Sequence, residues 1–363
     1  MPLSLSIVIP SHRRVDLLRL CLASVARFAP PQTEVIVVDD GSPGGVISQA
    51  ASEFTGVKVI RQPRAGGFCI AANAGIAAAT APVVELLNDD AEVTEGWATA
   101  ALRWFADERI AAVAPLILQN DPNRLQRGLQ PLIDTAGDEY DPGGFAIKRG
   151  HGQTLEKWRV ESGSFEWRVE SGEWRVESED KRAGSVSGGQ EKQETGKASD
   201  VFLDSCLHSP LSTLHSPLKR ATLHSPLSTL QIPGFVWGAS AAAAFYRRDT
   251  VIRAGGFPEQ FRAYFEDVDL SFRLRRLGFE IVYDPASVVW HRVSSSYGRK
   301  PSRRVLEQQS CNEERVFWRN VRGMARARWL PRHAAVLMAK ALKRFQEGTL
   351  MPWLLGRVRA LAG

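Results

Sequence analysis

The first ninety residues limit the possible folds most, because apolar runs of strand length alternate there with helical patterns. Four such runs are predicted to be strands, at 4–10, 34–38, 57–60 and 83–87. Apolar residues spaced by three and four positions predict helices over 15–28 and, in an Ala-rich segment, over about 69–79. This alternation predicts an α/β fold with a Rossmann-like, mostly parallel sheet flanked by helices.

Two of the predicted strands end in pairs of acids, Asp39-Asp40 and Asp89-Asp90. Right-handed βαβ winding brings such strand ends to one edge of the sheet, where ligands bind in open α/β sheets. Adjacent carboxylates repel each other unless a cation or a proton relieves them, and Mg²⁺ or Mn²⁺ suits hard oxygen ligands beside a phosphate. The alternative is that the acids lie in a solvated turn. Gly66-Gly67, which opens the Ala-rich helix, either admits a phosphate close to the backbone or forms a simple turn.

Five motifs in this order resemble the family 2 glycosyltransferases, rhamnosyltransferases in particular, which have the GT-A fold. They are Ile7-Val8-Ile9-Pro10, Asp39-Asp40-Gly41-Ser42, Gly67-Phe68 with Asn73, Asn88-Asp89-Asp90, and Glu266-Asp267-Val268-Asp269. The resemblance covers about 4–145 and 232–320. It implies a nucleotide-sugar donor and a Mg²⁺ or Mn²⁺ ion.

The resemblance also implies which residues bind the donor and the metal. Asn88-Asp89-Asp90 takes the place of the DxD motif, but Asn88 stands where the first acid often is, so it either faces the ligand or caps a turn. Asp90 and His291 are the expected metal ligands, although His291 can equally be a hydrogen-bonded structural residue. The expected donor-binding residues are Pro10, Ser11, Arg13, Asp39, Asp40, Gly67, Asn73, Asn88 and Asp89.

An acidic cluster opens a predicted helix at Glu266, Asp267 and Asp269. Acids are favoured at a helix start by the helix dipole, which is the purely structural explanation. Sugar transfer requires a base for the acceptor hydroxyl, and the resemblance implies Asp267 in this role, with Glu266 in reserve. Attack from the face opposite the leaving diphosphate makes the predicted enzyme an inverting one.

Residues 153–230 interrupt this pattern with irregular repeats of Trp-Arg-Val-Glu-Ser and Leu-His-Ser-Pro-Leu around a polar stretch. Such a composition predicts a low-complexity, disordered insert, or alternatively a segment that binds a partner through its Trp residues. The predicted organisation is one catalytic domain in two halves, 1–152 with the donor site and 231–312 with the acceptor side and the base. A basic helical tail, 313–363, follows.

The tail holds eleven Lys or Arg and three Asp or Glu, whereas the whole chain carries a net charge of +6. The basic excess therefore belongs to the tail, and we expect no nucleic-acid partner for the main domain. In the tail, Ala335, Met338, Leu342 and Phe345 share one helical face. This pattern suits an anionic membrane surface, or a helix that packs on the catalytic domain and shows its charges to water.

Four cysteines lie far apart, and no leader-like segment or apolar run of about 18 residues is visible. We therefore expect a cytoplasmic protein, or one peripheral to the inner face of the cytoplasmic membrane.

The leading hypothesis is an inverting, metal-dependent glycosyltransferase of cell-surface polysaccharide synthesis. It would move a sugar from a UDP- or dTDP-sugar to a glycan or lipid-linked acceptor. A sugar-phosphate nucleotidyltransferase is an alternative, but its expected Gly-rich loop is missing after the first strand, where Ser11-His12-Arg13-Arg14 stands. A non-catalytic nucleotide-sugar or glycan-binding protein is the other alternative, and would bind the donor without turnover.

Overall fold

The computed structural model describes residues 3–156, 233–292 and 301–362, and the backbone of 165–170 and 173–178. The strands are β1 Leu5–Ser11, β2 Glu34–Asp39, β3 Val57–Arg61, β4 Val83–Leu86, β5 Ala91–Val93, β6 Ile110–Gln119, β7 Ile133–Thr135, β8 Asp138–Asp141, β9 Phe145–Lys148, β10 Phe165–Glu170, β11 Glu173–Ser178, β12 Gly234–Phe235, β13 Phe245–Arg247 and β14 Glu280–His291. The helices are α1 Val15–Phe28, α2 Val46–Ser52, α3 Phe68–Ala78, α4 Trp97–Leu102, α5 Pro122–Gln126, α6 Arg248–Arg253, α7 Glu266–Arg276, α8 Arg303–Asn320, α9 Gly323–Gln346 and α10 Leu350–Ala362.

One ten-stranded sheet forms the core, in the order β3-β2-β1-β4-β13-β6-β14-β12, with β5 beside β14 and β7 beside β6. Strands β3, β2, β1 and β4 are parallel, as are β6 and β14. Strand β13 is antiparallel to both of its neighbours, β4 and β6. Strands from both sides of the predicted insert therefore lie in one sheet.

Apolar side chains alternate across the sheet and meet helices on both of its faces. In β1, Ile7 and Ile9 join the cluster covered by α1, α2 and α4, whereas Val8 joins the cluster covered by α3 and α7. Only glycine fits at position 75 of α3, because a Cβ there would lie 2.2 Å from Val8 Cγ1. The helix consequently packs directly on the strands that carry the acid pairs.

Residues 121–150 form regular structure that the sequence did not predict. They contain α5, the edge strand β7, and the antiparallel hairpin β8–β9, whose turn includes Gly143 and Gly144. Asp138 and Gly238 exchange backbone hydrogen bonds of 2.9 and 3.0 Å, which dock the hairpin against the second half of the domain. Short strands of mixed polarity explain why no clear period marked them in the sequence.

Most of the predicted insert lies outside the described residues. Its first residues belong to the folded body, because Gln153 O accepts a 2.8 Å hydrogen bond from Ile133 N and Thr154 bridges to Leu132. Strands β10 and β11 pair antiparallel within it, where the sequence suggested no regular structure.

The last two helices, α9 and α10, pair with α8 through polar groups and leave apolar ones outside. Lys340 Nζ donates to Glu313 at 2.6 Å, and Arg357 Nη1 donates to Glu314 at 2.6 Å. In contrast, large apolar side chains of α9 and α10 are exposed by half or more, namely Met338, Leu342, Phe345, Met351, Leu355, Val358 and Leu361. Lys340 and Arg357 are thus turned inward, whereas the alternative of a packed tail expected charges that face water. Among the described helices, none has the length and apolar character needed to cross a membrane.

Candidate active site

The ends of β1, β2 and β4 bring both acid pairs to one edge of the sheet. Asp40 N donates to Ser11 O at 2.8 Å, and Ser11 Oγ donates to Asp89 Oδ2 at 2.6 Å. The two acid pairs, 50 positions apart in the sequence, are thus connected through Ser11. The structure places them together as the strand pattern predicted.

Asp39 and Asp40 use their carboxylates to hold loops. Asp39 is fully buried and accepts hydrogen bonds from the backbone and hydroxyl groups of Ser42 and Ser48. Burial alone would raise the pKa of Asp39, but these donors lower it. Asp40 accepts from Gly66 N at 2.7 Å and Gly67 N at 2.9 Å. Both acids therefore hold loops at this edge of the sheet, and their contact with a donor stays a prediction.

Gly67 and Asn73 are also engaged within the protein. Gly67 has a φ of +97°, and its N–H donates to the Asp40 carboxylate. A Cβ on Gly67 would lie 3.0 Å from the carbonyl oxygen of Arg262. Asn73 Nδ2 donates to Phe257 O, and Phe257 N donates to Asn73 Oδ1, both at 2.8 Å. Asn73 thus fixes α3 to the turn at Phe257, and its expected donor contact stays a prediction.

Arg14 binds both acids of the second pair. Its guanidinium forms ion pairs with Asp89 and with Asp90, although neither was assigned to it from the sequence. Burial raises the pKa of Asp89, whereas His291 and Arg14 outweigh burial and lower the pKa of Asp90. Asp90 is therefore the better anionic ligand of the two.

His291, at the end of β14, lies between two carboxylates. Its Nε2 is 3.1 Å from Asp90 Oδ1, and its Nδ1 is 3.0 Å from Asp134 Oδ2. Burial would lower the pKa of His291, but hydrogen bonds to Asp134 and Asp90 raise it to about 9. Asp134 is a residue that the sequence did not indicate, and it is 1 % exposed on β7.

These residues fit a divalent cation that is completed by its substrate. A separation of 3.1 Å between Asp90 Oδ1 and His291 Nε2 is close to the edge of an octahedron with bonds of about 2.1 Å. Asp134 holds the other ring nitrogen, as carboxylates do behind metal-binding histidines. No group of three or more His, Cys, Asp or Glu side chains in the described chain forms a complete cage. Mg²⁺ and Mn²⁺ sites of this kind take remaining ligands from phosphates and water.

The remaining predicted residues around β1 and β4 have different surroundings. Asn88 Nδ2 lies 3.5 Å from His291 Nε2, so its side chain faces the candidate metal ligands, while its carbonyl accepts the turn hydrogen bond from Ala91 N. Pro10 is buried within β1. Arg13 is exposed, and its guanidinium makes no hydrogen bond or ion pair with the described residues.

The acid cluster at the start of α7 contains the two candidate bases, Asp267 and Glu266, which differ in their surroundings. Asp267 is partly exposed, and its carboxylate accepts from Ala241 N at 3.1 Å and Val268 N at 2.9 Å. Glu266 is buried, and its Oε2 has no hydrogen-bond partner among the described residues. Burial raises the pKa of both groups, and the charge of Asp267 raises that of Glu266 further. Backbone donors favour the ionised form of Asp267, which suits a base, and the reserve role of Glu266 stays a prediction.

Lys148 interacts electrostatically with Asp134, on the side of the candidate metal ligands, and with Asp267, the candidate base. Its Nζ is 3.2 Å from Asp134 Oδ1, and its pKa is raised because Asp134, Asp138 and Asp267 outweigh the effect of burial. Asp138 is buried, and burial together with the charge of Asp267 raises its pKa to about 7. Lys148 and Asp138 lie on the β8–β9 hairpin, which the sequence did not reveal. Its only signal was the Asp141-Pro142-Gly143-Gly144 turn between Tyr140 and Phe145.

Comparison with known proteins gives a family for part of the chain. Residues 6–163 match the model of Glycosyl transferase family 2. The pre-mycofactocin glycosyltransferase of Mycobacterium tuberculosis (strain CDC 1551 / Oshkosh) is 34% identical over 117 residues, which are 31% of this chain and 23% of that protein. The N-acetylglucosaminyl-diphospho-decaprenol L-rhamnosyltransferase of the same strain is 40% identical over 63 residues, 17% of this chain and 20% of that protein. The chain thus matches less than a quarter of the length of these relatives.

A solved structure supports the fold over a greater length. The mannosyltransferase PcManGT from Pyrobaculum calidifontis, in complex with GDP-Man and Mn²⁺, is similar with a TM-score of 0.50 and 14% identity. The similarity covers 98% of this chain and 86% of that one, and at this identity it shows the fold alone. The predicted GT-A fold is confirmed.

Proposed function

We propose that this protein, whose residues 6–163 belong to glycosyl transferase family 2, is an inverting, metal-dependent glycosyltransferase. The observation that carries the proposal is one connected set of charged groups. It runs from Arg14 through Asp90, His291 and Asp134 to Lys148, which acts electrostatically on Asp267. A candidate diphosphate site and a candidate base thus belong to one site, as sugar transfer requires.

Asp267 is the proposed base. In the transfer, the acceptor oxygen forms a bond to the anomeric carbon as the bond between that carbon and the diphosphate oxygen breaks. The acceptor proton passes to the Asp267 carboxylate, whose raised pKa favours taking it up. Attack opposite the leaving group inverts the anomeric centre.

The proposed leaving-group side is the edge at Asp89 and Asp90. A divalent cation held by Asp90 and His291, when bound, would neutralise charge that develops on the diphosphate. Asp134 orients His291 for this, and Ser11 and Arg14 fix Asp89. The exposed guanidinium of Arg13 is available to a phosphate.

We infer a UDP- or dTDP-sugar as donor and a glycan or lipid-linked acceptor, with a role in cell-surface polysaccharide synthesis. The name of the similar rhamnosyltransferase, which includes a diphospho-decaprenol, supports a lipid-linked acceptor. The GDP-Man complex of the structural relative keeps GDP-sugars among the donors to test.

We further propose that the protein works at the cytoplasmic surface of an anionic membrane. The exposed apolar side chains of α9 and α10, such as Phe345 at 69% and Val358 at 62%, support this location. Their helices belong to the segment that holds the basic excess of the chain. Apolar contact together with attraction to anionic lipids is how interfacial helices bind.

The experiment is release of free nucleotide from UDP-glucose, UDP-N-acetylglucosamine, dTDP-L-rhamnose and GDP-mannose, with Mn²⁺ or with a chelator. The proposal predicts Mn²⁺-dependent release that an acceptor glycan or lipid-linked sugar accelerates. Donor binding without release by any acceptor would indicate a binding protein. Formation of pyrophosphate from a nucleoside triphosphate and a sugar phosphate would indicate a nucleotidyltransferase.

A further inference from the structure

The loop directly before α7 has a strained backbone. Arg262 (φ +60°, ψ −54°) is the centre of a γ-turn, in which Ala263 N donates to Phe261 O at 2.6 Å. Tyr264 and Phe265 follow with φ of +74° and +65°. Residues with a bulky side chain rarely adopt positive φ, and turns of this γ type are rare and strained. The surrounding structure must therefore hold the loop in this form.

The side chain of Asn312 is the main contact that holds it. Asn312 is fully buried in α8, and its Nδ2 lies 2.8 Å from Phe261 O and 2.9 Å from both Ala263 O and Tyr264 O. The amide nitrogen thus lies within hydrogen-bond distance of three carbonyl oxygens of the loop. Gln308 Nε2, one turn earlier on α8, adds a 2.7 Å hydrogen bond to Phe261 O.

The held loop joins the two sides of the candidate active site. Cys69 N, at the start of α3 beside Gly67, donates to Arg262 O at 3.0 Å. At the other end, Asp269 N donates to Phe265 O at 3.1 Å in the first turn of the helix that carries Asp267. A shift of the loop would move the base relative to the sheet edge with the acid pairs.

The loop also carries Tyr264. Tyr264 is 41% exposed. Burial and the charge of Glu266 raise the pKa of its hydroxyl, and Arg14 lowers it, so the hydroxyl is within electrostatic range of both groups.

We propose that Asn312 is a positioning residue, which holds the strained loop 261–265 so that Asp267 faces the bound sugar. This inference rests on the proposed glycosyl transfer. It makes α8 part of the active site, although the sequence showed no motif in this helix. Asn312 acts through the loop and does not itself touch substrate.

The test is Asn312→Asp, which keeps the size of the side chain but replaces its N–H donors with a carboxylate facing three carbonyl oxygens. We expect peptides covering 261–270 to exchange amide hydrogens faster than in the wild type, because their hydrogen bonds open locally. We also expect kcat for nucleotide release to fall by about 10²-fold at equal folded fraction, with a smaller change in KM. The donor is the nucleotide-sugar of the four-member panel that the wild type turns over.

Ser310→Ala is the matched control on the same helix. Ser310 is also buried, but its Oγ donates to Trp353 O at 2.7 Å and holds α10 instead of the loop. This variant should lower the melting temperature while leaving loop exchange and kcat unchanged. Gln308→Leu removes the donor to Phe261 O and the 3.3 Å hydrogen bond to Asn312 Oδ1, and should give a weaker effect in the same direction if Asn312→Asp does not fold.

Two results would overturn the inference. Unchanged exchange over 261–270 in Asn312→Asp, or in Gln308→Leu if that variant must be used, would show that the amides do not hold the loop. Faster exchange with unchanged kcat and KM would show that the held loop does not position the site. A wild-type protein that releases no nucleotide from any donor would refute the proposed function instead, and exchange would still decide whether Asn312 holds the loop.

Discussion

Compensation of buried negative charge explains the arrangement of individual residues at the site. Asp89 and Asp90 are opposed by Arg14 and His291, and Asp134 is opposed by His291 and Lys148. Asp267 has two backbone donors, whereas Glu266 has an unpartnered oxygen. The ion pairs and hydrogen bonds that stabilise these acids also distinguish the candidate ligand Asp90 from Asp89, and the candidate base Asp267 from Glu266.

At the residue scale, Asp267→Asn should reduce sugar transfer by about 10²–10⁴-fold, because an amide does not accept the acceptor proton. Donor binding should remain close to that of the wild type, since Asn keeps one oxygen for the Ala241 or Val268 amide. Nucleotide release and donor-induced thermal shift measure the two effects. Asp249→Asn, an exposed acid of the same half, is the control. Loss of donor affinity equal to the loss of rate would contradict the base assignment.

The sequence predicted the acids that end regular strands or begin a helix, since those positions are marked by hydrophobic pattern. It did not predict Arg14, because one of two adjacent loop arginines has no pattern to distinguish it. Asp134, Asp138 and Lys148 were missed because they lie on strands of three or four residues. Asp39, Asp40 and Asn73 also hydrogen-bond to loops, and the sequence did not predict these bonds because they depend on tertiary contacts that it does not specify.

At the scale of elements, the long helices and the strands of the first half follow from their apolar spacing. Strand β13 was not predicted, because three residues after an Ala-rich run give little periodic signal. Its position between β4 and β6 is decided by pairing with distant strands. The strained loop 261–265 likewise depends on Asn312, about 50 positions away.

The position at which the insert begins determines which deletions the folded domain should tolerate. Replacing 157–230 with a short Gly-Ser linker should leave the melting temperature and nucleotide release near wild-type values. Starting the same deletion at 153 should cost about 1–3 kcal/mol, because the buried Ile133 amide loses the Gln153 carbonyl. Thermal unfolding of both variants measures the difference. Loss of activity in the shorter deletion would show that the insert has a function.

At the scale of the whole molecule, the C-terminal helices are attached through Glu314. This carboxylate accepts from Trp318 Nε1 and Arg357 Nη1, both at 2.6 Å, and lies 3.2 Å from His333 Nε2. Burial would raise the pKa of Glu314, but His333 and Arg357 outweigh it and lower the pKa to about 2. The network therefore links α8 to both α9 and α10.

This network predicts an acid-sensitive tail. A folded-state pKa of about 2 against an ordinary value of 4.5 contributes about 3 kcal/mol above pH 4.5, which is lost as pH falls toward 2. Glu314→Gln should lower the melting temperature at pH 7 and flatten its dependence on acid. Tryptophan fluorescence during unfolding at pH 2–7 measures both. Equal acid dependence in wild type and variant would contradict this role.

The outward apolar face of the tail predicts binding to anionic membranes. The protein should sediment with phosphatidylglycerol vesicles but not with phosphatidylcholine vesicles at low salt. Phe345→Glu combined with Leu355→Glu should abolish sedimentation without unfolding, as both side chains are exposed. Leu129→Glu, at an exposed site outside the tail, is the control. Unchanged sedimentation of the double variant would exclude this face as the membrane contact.

The account requires one site in which a sugar diphosphate and a divalent ion meet Asp90 while Asp267 serves the acceptor. The most direct measurement is the additional rise in melting temperature that Mn²⁺ gives in the presence of UDP, dTDP or GDP, compared among wild type, Asp90→Asn and Asp267→Asn. Saturation at about 100-fold above Kd would contribute about 2.7 kcal/mol, enough for a shift of several degrees. We predict that Asp267→Asn retains the Mn²⁺-dependent rise and Asp90→Asn loses it. An equal rise in all three proteins, or none in the wild type with any nucleotide, would contradict the account.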